Sequence, residues 1–275
     1  MLMIASFTFA AAAVASLLAQ NYTPENKEWN QPVEPFRIEG NLYYVGANDV
    51  TSFLLTSDKG HVLIDSGFRE TVPQIVANVT KLGFKMTDIK YLLITQAHYD
   101  HAAGLAELKR ITKGKLLASV EDARLLARGG KGDFAFQDHF LFEPVTADRT
   151  IADGEKLQLS GINMKAYLTP GHTKGCTTWT AQIGTHNAVF LCSVSAPGYK
   201  LKSNKNYPNI VADFERTFDL VEKLPCDIFL SAHAAQFKMA EKRAAGNQFV
   251  KQGELAEYIR DARQSFHAQL AKEKD

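Results

Sequence analysis

The sequence predicts a single α+β domain in which two β-sheets pack together with helices outside them. Three observations carry that expectation. Short β-rich segments come grouped in meanders, helical periodicities are inserted in each half, and the order of elements in the first half recurs in the second. No linker separates the halves, and no low-complexity segment follows the apolar N-terminal run.

Leu42 to Val45, Ser52 to Thr56 and His61 to Asp65 are the first strands, the last two joined by Ser57-Asp58-Lys59-Gly60, whose Asp and Gly suit a hairpin turn. From Glu70 to Leu82, the apolar Val72, Ile75, Val76, Val79 and Leu82 recur at helical spacing, and Gly83 stands where a helix stops. Tyr91 to Thr95 is an apolar strand. The second half repeats the order, with strands around Leu157 to Leu159, Ile162 to Leu168, Thr177 to Ile183 and Ala188 to Ser193. Val211, Phe214, Phe218, Val221 and Leu224 then share one helical face, Ile228 to Ser231 is a short strand, and Leu255 to Ala271 is a terminal helix.

A chain of 275 residues, 45% apolar and 22% charged, can bury a large core, which excludes disordered and fibrous classes. Lys and Arg number 31 against 30 acidic residues, so net charge alone gathers neither nucleic acid nor an anionic membrane. The expected partner is a small molecule.

The first charged side chain is Glu25, and Met1 to Ala19 is an apolar, alanine-rich run. It reads as a secretory signal peptide, residues 1–19, cleaved after Ala15 or Ala19, though it lacks the usual leading Lys or Arg and is of marginal length for a membrane anchor. Residues 20–35 hold three of the nine prolines and read as a surface arm, leaving 36–275 as the domain. A periplasmic, monomeric protein without lasting membrane association is expected. Three cysteines, Cys176, Cys192 and Cys226, allow at most one disulfide and leave one thiol free.

The chemistry concentrates in Thr95-Gln96-Ala97-His98-Tyr99-Asp100-His101, where an apolar strand gives way to small residues. His98, Asp100 and His101 offer two imidazoles and a carboxylate, which are zinc-type ligands that a turn can converge. Tyr167 to Thr173 repeats the arrangement, an apolar strand and a Pro-Gly turn leading to His172, and Ile228 to His233 does so again. Four of the eight histidines thus follow apolar strands, as a site on one rim of a sheet requires. His61, His139, His186 and His267 lack that context and read as surface or packing residues.

On Gln96 to His101, Pro170-Gly171-His172-Thr173-Lys174-Gly175 and Ser231-Ala232-His233-Ala234, the chain resembles the metallo-β-lactamase superfamily from about Glu34 onward. Within it, the chain is similar to the third subclass of class B β-lactamases, of the GOB type with Gln at the first motif position. The resemblance implies an αββα four-layer sandwich with two zinc ions between the sheet edges. Gln96, His98 and His172 would surround one zinc, and Asp100, His101 and His233 the other. A hydroxide held between them, oriented by Asp100, would open the amide of penicillins, cephalosporins and carbapenems, because coordination brings the pKa of water from near 15.7 toward about 7.

In Cys192 to Gly198 the resemblance implies that Ser193 and Ser195 hold the substrate carboxylate. Strand alternation would put them on one face, with Cys192 and Val194 on the other. The serines can equally solvate a strand end, and Cys192 is a second candidate zinc ligand, although the Ser-x-Ser-Ala-Pro-Gly register argues against it. Relatives pair a cysteine like Cys226 with one further on; Asp227 to Asp275 holds none, so Cys226 is expected to be a packing thiol.

The superfamily also contains thioester hydrolases, lactonases, phosphodiesterases and nucleases, so the fold alone does not choose a substrate. Those relatives usually bridge their metals with an aspartate on the strand read here as Ala188 to Ser193, which has no acidic residue. A non-catalytic metal-binding relative is the remaining alternative, kept open by Gln96.

Overall fold

In the computed structural model, residues 22–274 are described, and the leader expected over Met1 to Ala19 lies outside them. The first sheet has seven strands in sequence order: β1 (Phe36–Glu39), β2 (Leu42–Tyr44), β3 (Phe53–Leu55), β4 (His61–Ile64), β5 (Ile89–Leu93), β6 (Lys115–Ser119) and β7 (Arg149–Ile151). β1 to β4 pair antiparallel and β4 to β7 parallel. The second sheet has five, in the order β12 (Ile228–Ser231), β11 (His186–Leu191), β10 (Thr177–Ile183), β9 (Ile162–Leu168) and β8 (Lys156–Leu159). There β11 and β12 are parallel and the other pairs antiparallel.

Strand alternation builds the layers. Val62, Ile64, Leu93 and Leu117 join Trp179 and Ala181 in the core between the sheets. Their neighbours Leu63, Leu92 and Leu116 point the other way, onto Val72, Ile75 and Val79 of α2 (Val72–Lys81) and Leu105 and Leu108 of α4 (Leu105–Thr112). Beyond the second sheet, α6 (Ile210–Val221) meets α8 (Glu254–Lys272), with Phe266 against Phe214 and Phe218 at 4.7 and 5.6 Å between ring centres. The result is the expected helix, sheet, sheet, helix sandwich in one α+β domain.

Several elements go beyond the sequence reading. β1, α4, β6, α5 (Val120–Ala127) and β7 were not expected, and β6 and β7 extend the first sheet through its parallel half. The N-terminal arm is also more than an extended surface segment. Pro24–Trp29 forms helix α1, with Thr23 and Asn26 exchanging side-chain and backbone hydrogen bonds as a capping box and Pro24 at the first helical position. Its end is fixed by Asp49 and Val50, whose N–H groups donate to the Trp29 carbonyl.

The two sheets are stitched at one rim. Trp179 Nε1 donates to the Ile94 carbonyl (3.1 Å), the Thr177 N–H to Thr95 O (2.8 Å), and Thr51 Oγ1 to Ser231 O (3.0 Å). The strands β4, β5, β9, β11 and β12 all end on this rim, so the segments that follow them converge there.

Candidate metal site between the sheet edges

The Gln96 to His101 segment leaves β5 under the control of two buried carboxylates. Asp65 accepts from the Thr95 N–H and Oγ1, both at 2.7 Å. Asp122, in the first turn of α5, accepts from the Ala97 N–H at 3.0 Å and from Thr173 Oγ1 at 3.3 Å, so one carboxylate ties the His98 segment to the His172 segment. Burial pushes the Asp65 carboxyl up to about 6 and that of Asp122 up to about 7. Gly175 permits the approach: a Cβ there would lie 2.4 Å from the Asp122 side chain. His98 is the N-cap of the short helix α3 (Tyr99–Ala102), which sends Asp100 and His101 into the rim from the helix's first turn.

Five of the six side chains singled out in the sequence form two groups, His98 with His172 and Asp100 with His101 and His233. His172 donates from Nδ1 to the Ser195 carbonyl at 2.7 Å, which leaves its Nε2 bare. His98 turns Nδ1 toward that nitrogen at 3.1 Å, while its Nε2 faces the Asp133 carboxylate at 3.6 Å. Gln96 is fully buried with neither amide atom hydrogen-bonded. In the second group, Asp100 Oδ2 lies 3.2 Å from His101 Nε2 and 3.3 Å from His233 Nε2, and the three donor atoms lie within 4.8 Å of one another. His233 Nδ1 contacts Asp49 Oδ2 at 2.8 Å, and Asp49 Oδ1 accepts from the Ala235 N–H.

These residues fit a divalent metal. The Gln96 amide oxygen and the His101 ring nitrogens are buried without a hydrogen-bond partner, and an unsatisfied buried acceptor costs about 1–3 kcal/mol unless something else, such as a cation, satisfies it. With its Nδ1 proton committed to Ser195, His172 turns an Nε2 lone pair toward His98 Nδ1 at 3.1 Å, close to the spacing of two ligands on one tetrahedral ion. Ligands 2.0–2.1 Å from a tetrahedral centre are about 3.3–3.4 Å apart, close to the spacings of Asp100 to His101 and His233. A carboxylate and Asp-backed imidazoles are the donors that such an ion takes.

Above the two groups lies a cavity of about 520 Å³ lined by His98, Asp100, His172 and His233, the right size for a small molecule. Trp29 of α1 and Phe136 and Phe140 of the loop after α5 give it apolar walls, and Ser193 and Ser195 both line it. β11 ends at Leu191, so the serines are placed by an irregular segment and not by the strand alternation expected. Ser193 is buried and Ser195 exposed.

Residues 45–233 match the family model described as the metallo-β-lactamase superfamily. The chain belongs to that superfamily. This metallo-β-lactamase fold is similar to the native FEZ-1 metallo-β-lactamase of Legionella gormanii, 41% identical, covering 88% of this chain and 97% of that one with a TM-score of 0.86. It is also similar to the metallo-β-lactamase GOB-18 of Elizabethkingia meningoseptica, 38% identical, covering 90% and 96% with a TM-score of 0.85. A curated relative, the hydroxyacylglutathione hydrolase-like protein of Bos taurus, is 30% identical over 137 residues, 47% of this chain and 61% of that protein. The chain thus spans less than two thirds of that relative's length, and 35% of a probable metallo-hydrolase of Burkholderia pseudomallei.

The cysteine alternatives close as well. Cys176 and Cys192 form a disulfide, so Cys192 has no thiolate to offer a metal, and Cys226 is the free thiol, half-buried against the core, with burial pushing it up to about 12. Of the histidines read as packing or surface residues, His61 is buried against Phe84 and His267 pairs with Glu215. The sequence reading of this superfamily member missed Asp49, Asp122, Asp133 and Trp29. Asp49 carried a signal, since it follows the β2 strand as the histidines follow theirs; Asp122 sits in a helix and carried none.

Proposed function

We propose that this chain is a zinc-dependent β-lactamase exported to the periplasm. The observation that carries the reading is the convergence of His98 and His172 beside Asp100, His101 and His233 under a cavity sized for a small molecule. The likeness to solved metallo-β-lactamases over most of both chains supports β-lactams as the substrate. The uncharged run Met1 to Ala19 and the Cys176–Cys192 disulfide support export to an oxidising compartment.

Gln96, His98 and His172 would hold one zinc, and Asp100, His101 and His233 a second. Zinc bound there would supply a strong positive charge and acidify water toward neutral pH. The rest falls to the chain. Hydrolysis adds water across the ring C–N bond, so the attacking water must lose a proton and the departing nitrogen must gain one. Asp100 is the carboxylate placed among the ligands on the cavity wall, where it would orient the water. Trp29, Phe136 and Phe140 shield the ring from bulk solvent. No Lys or Arg is among the described residues lining the cavity, and the Ser193 and Ser195 hydroxyls, which line it, are the groups that the resemblance assigns to the substrate carboxylate.

Replacing both serines with Ala should therefore raise KM about ten- to hundredfold, the worth of hydrogen bonds to a charged group, while kcat changes by no more than about threefold. An unchanged KM with a collapsed kcat would refute the anchor. Asp49→Ala should leave the protein folded but weaken zinc binding at the Asp100–His101–His233 site about ten- to hundredfold, because Asp49 sets the tautomer and ring plane of His233. Competition with a coloured chelator measures it.

Curated hydroxyacylglutathione hydrolases make thioester hydrolysis the rival. The β11 strand and Cys192 offer no acidic residue at the rim, and Cys192 is spent in the disulfide, so the bridging aspartate usual in that branch has no counterpart. Parallel assays with a penicillin, an S-acylglutathione and a lactone test the choice. Turnover of the thioester with the penicillin untouched would reverse it.

A further inference from the structure

We propose that Gln269 and Glu273, at the end of α8, are positioning residues for the Gln96–His98–His172 site. They act through the loop formed by residues 195–202, which is neither helix nor strand and whose backbone groups are met in part by side chains. Gln269 Nε2 donates to the Ala196 carbonyl at 2.8 Å and to the Tyr199 carbonyl at 3.3 Å. The Glu273 carboxylate accepts from the Leu201 N–H at 2.8 Å and the Lys202 N–H at 3.0 Å.

The other side of the same loop holds His172. The Ser195 carbonyl takes the His172 Nδ1 proton at 2.7 Å, and Tyr199 Oη donates to the His172 carbonyl at 3.0 Å. Ser195 and Ala196 present consecutive carbonyls, one to His172 and one to Gln269, and the following Pro197 narrows the dihedral range at the Ala196 Cα that joins them, so displacing one shifts the other. α8 is anchored independently of the loop, by Phe266 on Phe214 and Phe218 and by Arg263 with Glu215 at 2.5 Å and Asp219 at 2.8 Å. A rigid helix end therefore fixes the loop, and the loop fixes the direction of His172 Nε2. The neighbouring group rests on other supports, Asp49 and the α3 turn, and has no contact with α8 through this loop.

This inference rests on the metal assignment above and predicts a selective effect. Gln269→Glu keeps the side chain's size but replaces its N–H donors with a carboxylate facing two carbonyls. Zinc affinity at the Gln96–His98–His172 site should fall about three- to tenfold, the worth of a hydrogen bond one step removed from the ligand, with KM rising through Ser195. Affinity at the Asp100–His101–His233 site should stay within about twofold. Glu273→Ala, which frees different backbone groups of the same loop, should give the same pattern. Arg260→Ala removes an exposed ion pair with Glu222 elsewhere on α8 and should leave both affinities unchanged. Stepwise titration of the purified chain with zinc, and with cobalt(II) to tell the sites apart by their spectra, reads all four proteins. Equal losses at both sites, or a loss in Arg260→Ala matching that in Gln269→Glu, would overturn the positioning role. Two-site binding unmoved by either loop variant would overturn it too, while a wild-type chain that takes up no metal would remove the assignment beneath it.

Discussion

Asp100→Asn is expected to lower kcat for β-lactam hydrolysis by about a hundred- to ten-thousandfold, the range that a positioned acid or base contributes. Asp100 Oδ2 stands 3.2 Å from His101 Nε2 and 3.3 Å from His233 Nε2, so it shares a site with both imidazoles while still lining the cavity. Burial alone would raise its carboxyl, but His101 and His233 hold it well below the usual carboxylate range. Asparagine keeps the shape and loses the charge, so it is a weaker ligand and a poorer acceptor for orienting the water. The variant should lose zinc from the Asp100–His101–His233 site as well, which separates it from the serine pair, where KM moves. Measuring kcat and bound zinc on one preparation checks both effects; a kcat within about threefold of wild type would remove Asp100 from the chemistry.

Gln96→His should move the other site in the opposite direction. An amide oxygen is a neutral and weaker donor to zinc than an imidazole nitrogen, so the Gln96–His98–His172 site is expected to fill second. Restoring an imidazole should raise affinity for the second zinc equivalent by roughly tenfold or more, leaving the first equivalent unchanged. The buried environment makes the substitution informative, because both amide atoms of Gln96 lack a hydrogen-bond partner. Cobalt titration followed by absorbance distinguishes the order of filling. If the Gln96 site fills first, or if the second equivalent binds no better in Gln96→His, Gln96 is not a ligand.

His98, His101, His172 and His233 were legible because the chain writes a rim site locally: an apolar run of strand length, a small or Pro-Gly break, then a donor. The same locality explains the omissions. α4 and α5 are each only 8 residues long, too short for a helical period to repeat convincingly. α1 has its start written in Thr23-Pro24, yet the prolines of the arm read equally as turns, and the packing of Trp29 against His233 shows which applies. Asp122 reaches the site by joining segments 25 and 51 residues away, and Gln269 acts across 73, distances at which sequence spacing carries no geometric information. The disulfide was undetermined for a similar reason. Three cysteines permit three pairings, and it is the neighbouring ends of β10 and β11 that bring Cys176 and Cys192 within reach.

Ring opening of a penicillin, a cephalosporin and a carbapenem, followed by loss of absorbance before chelation, after it, and during stepwise return of zinc to the apo-protein, tests the central claim most directly. The chain has no Gly-x-Ser-x-Gly nucleophile motif, and its rim donors are imidazoles, an amide and a carboxylate, so hydrolysis should vanish with the metal and return with added zinc. Full hydrolysis by the metal-free protein, or no hydrolysis of any of the three by the zinc-loaded one, would contradict it.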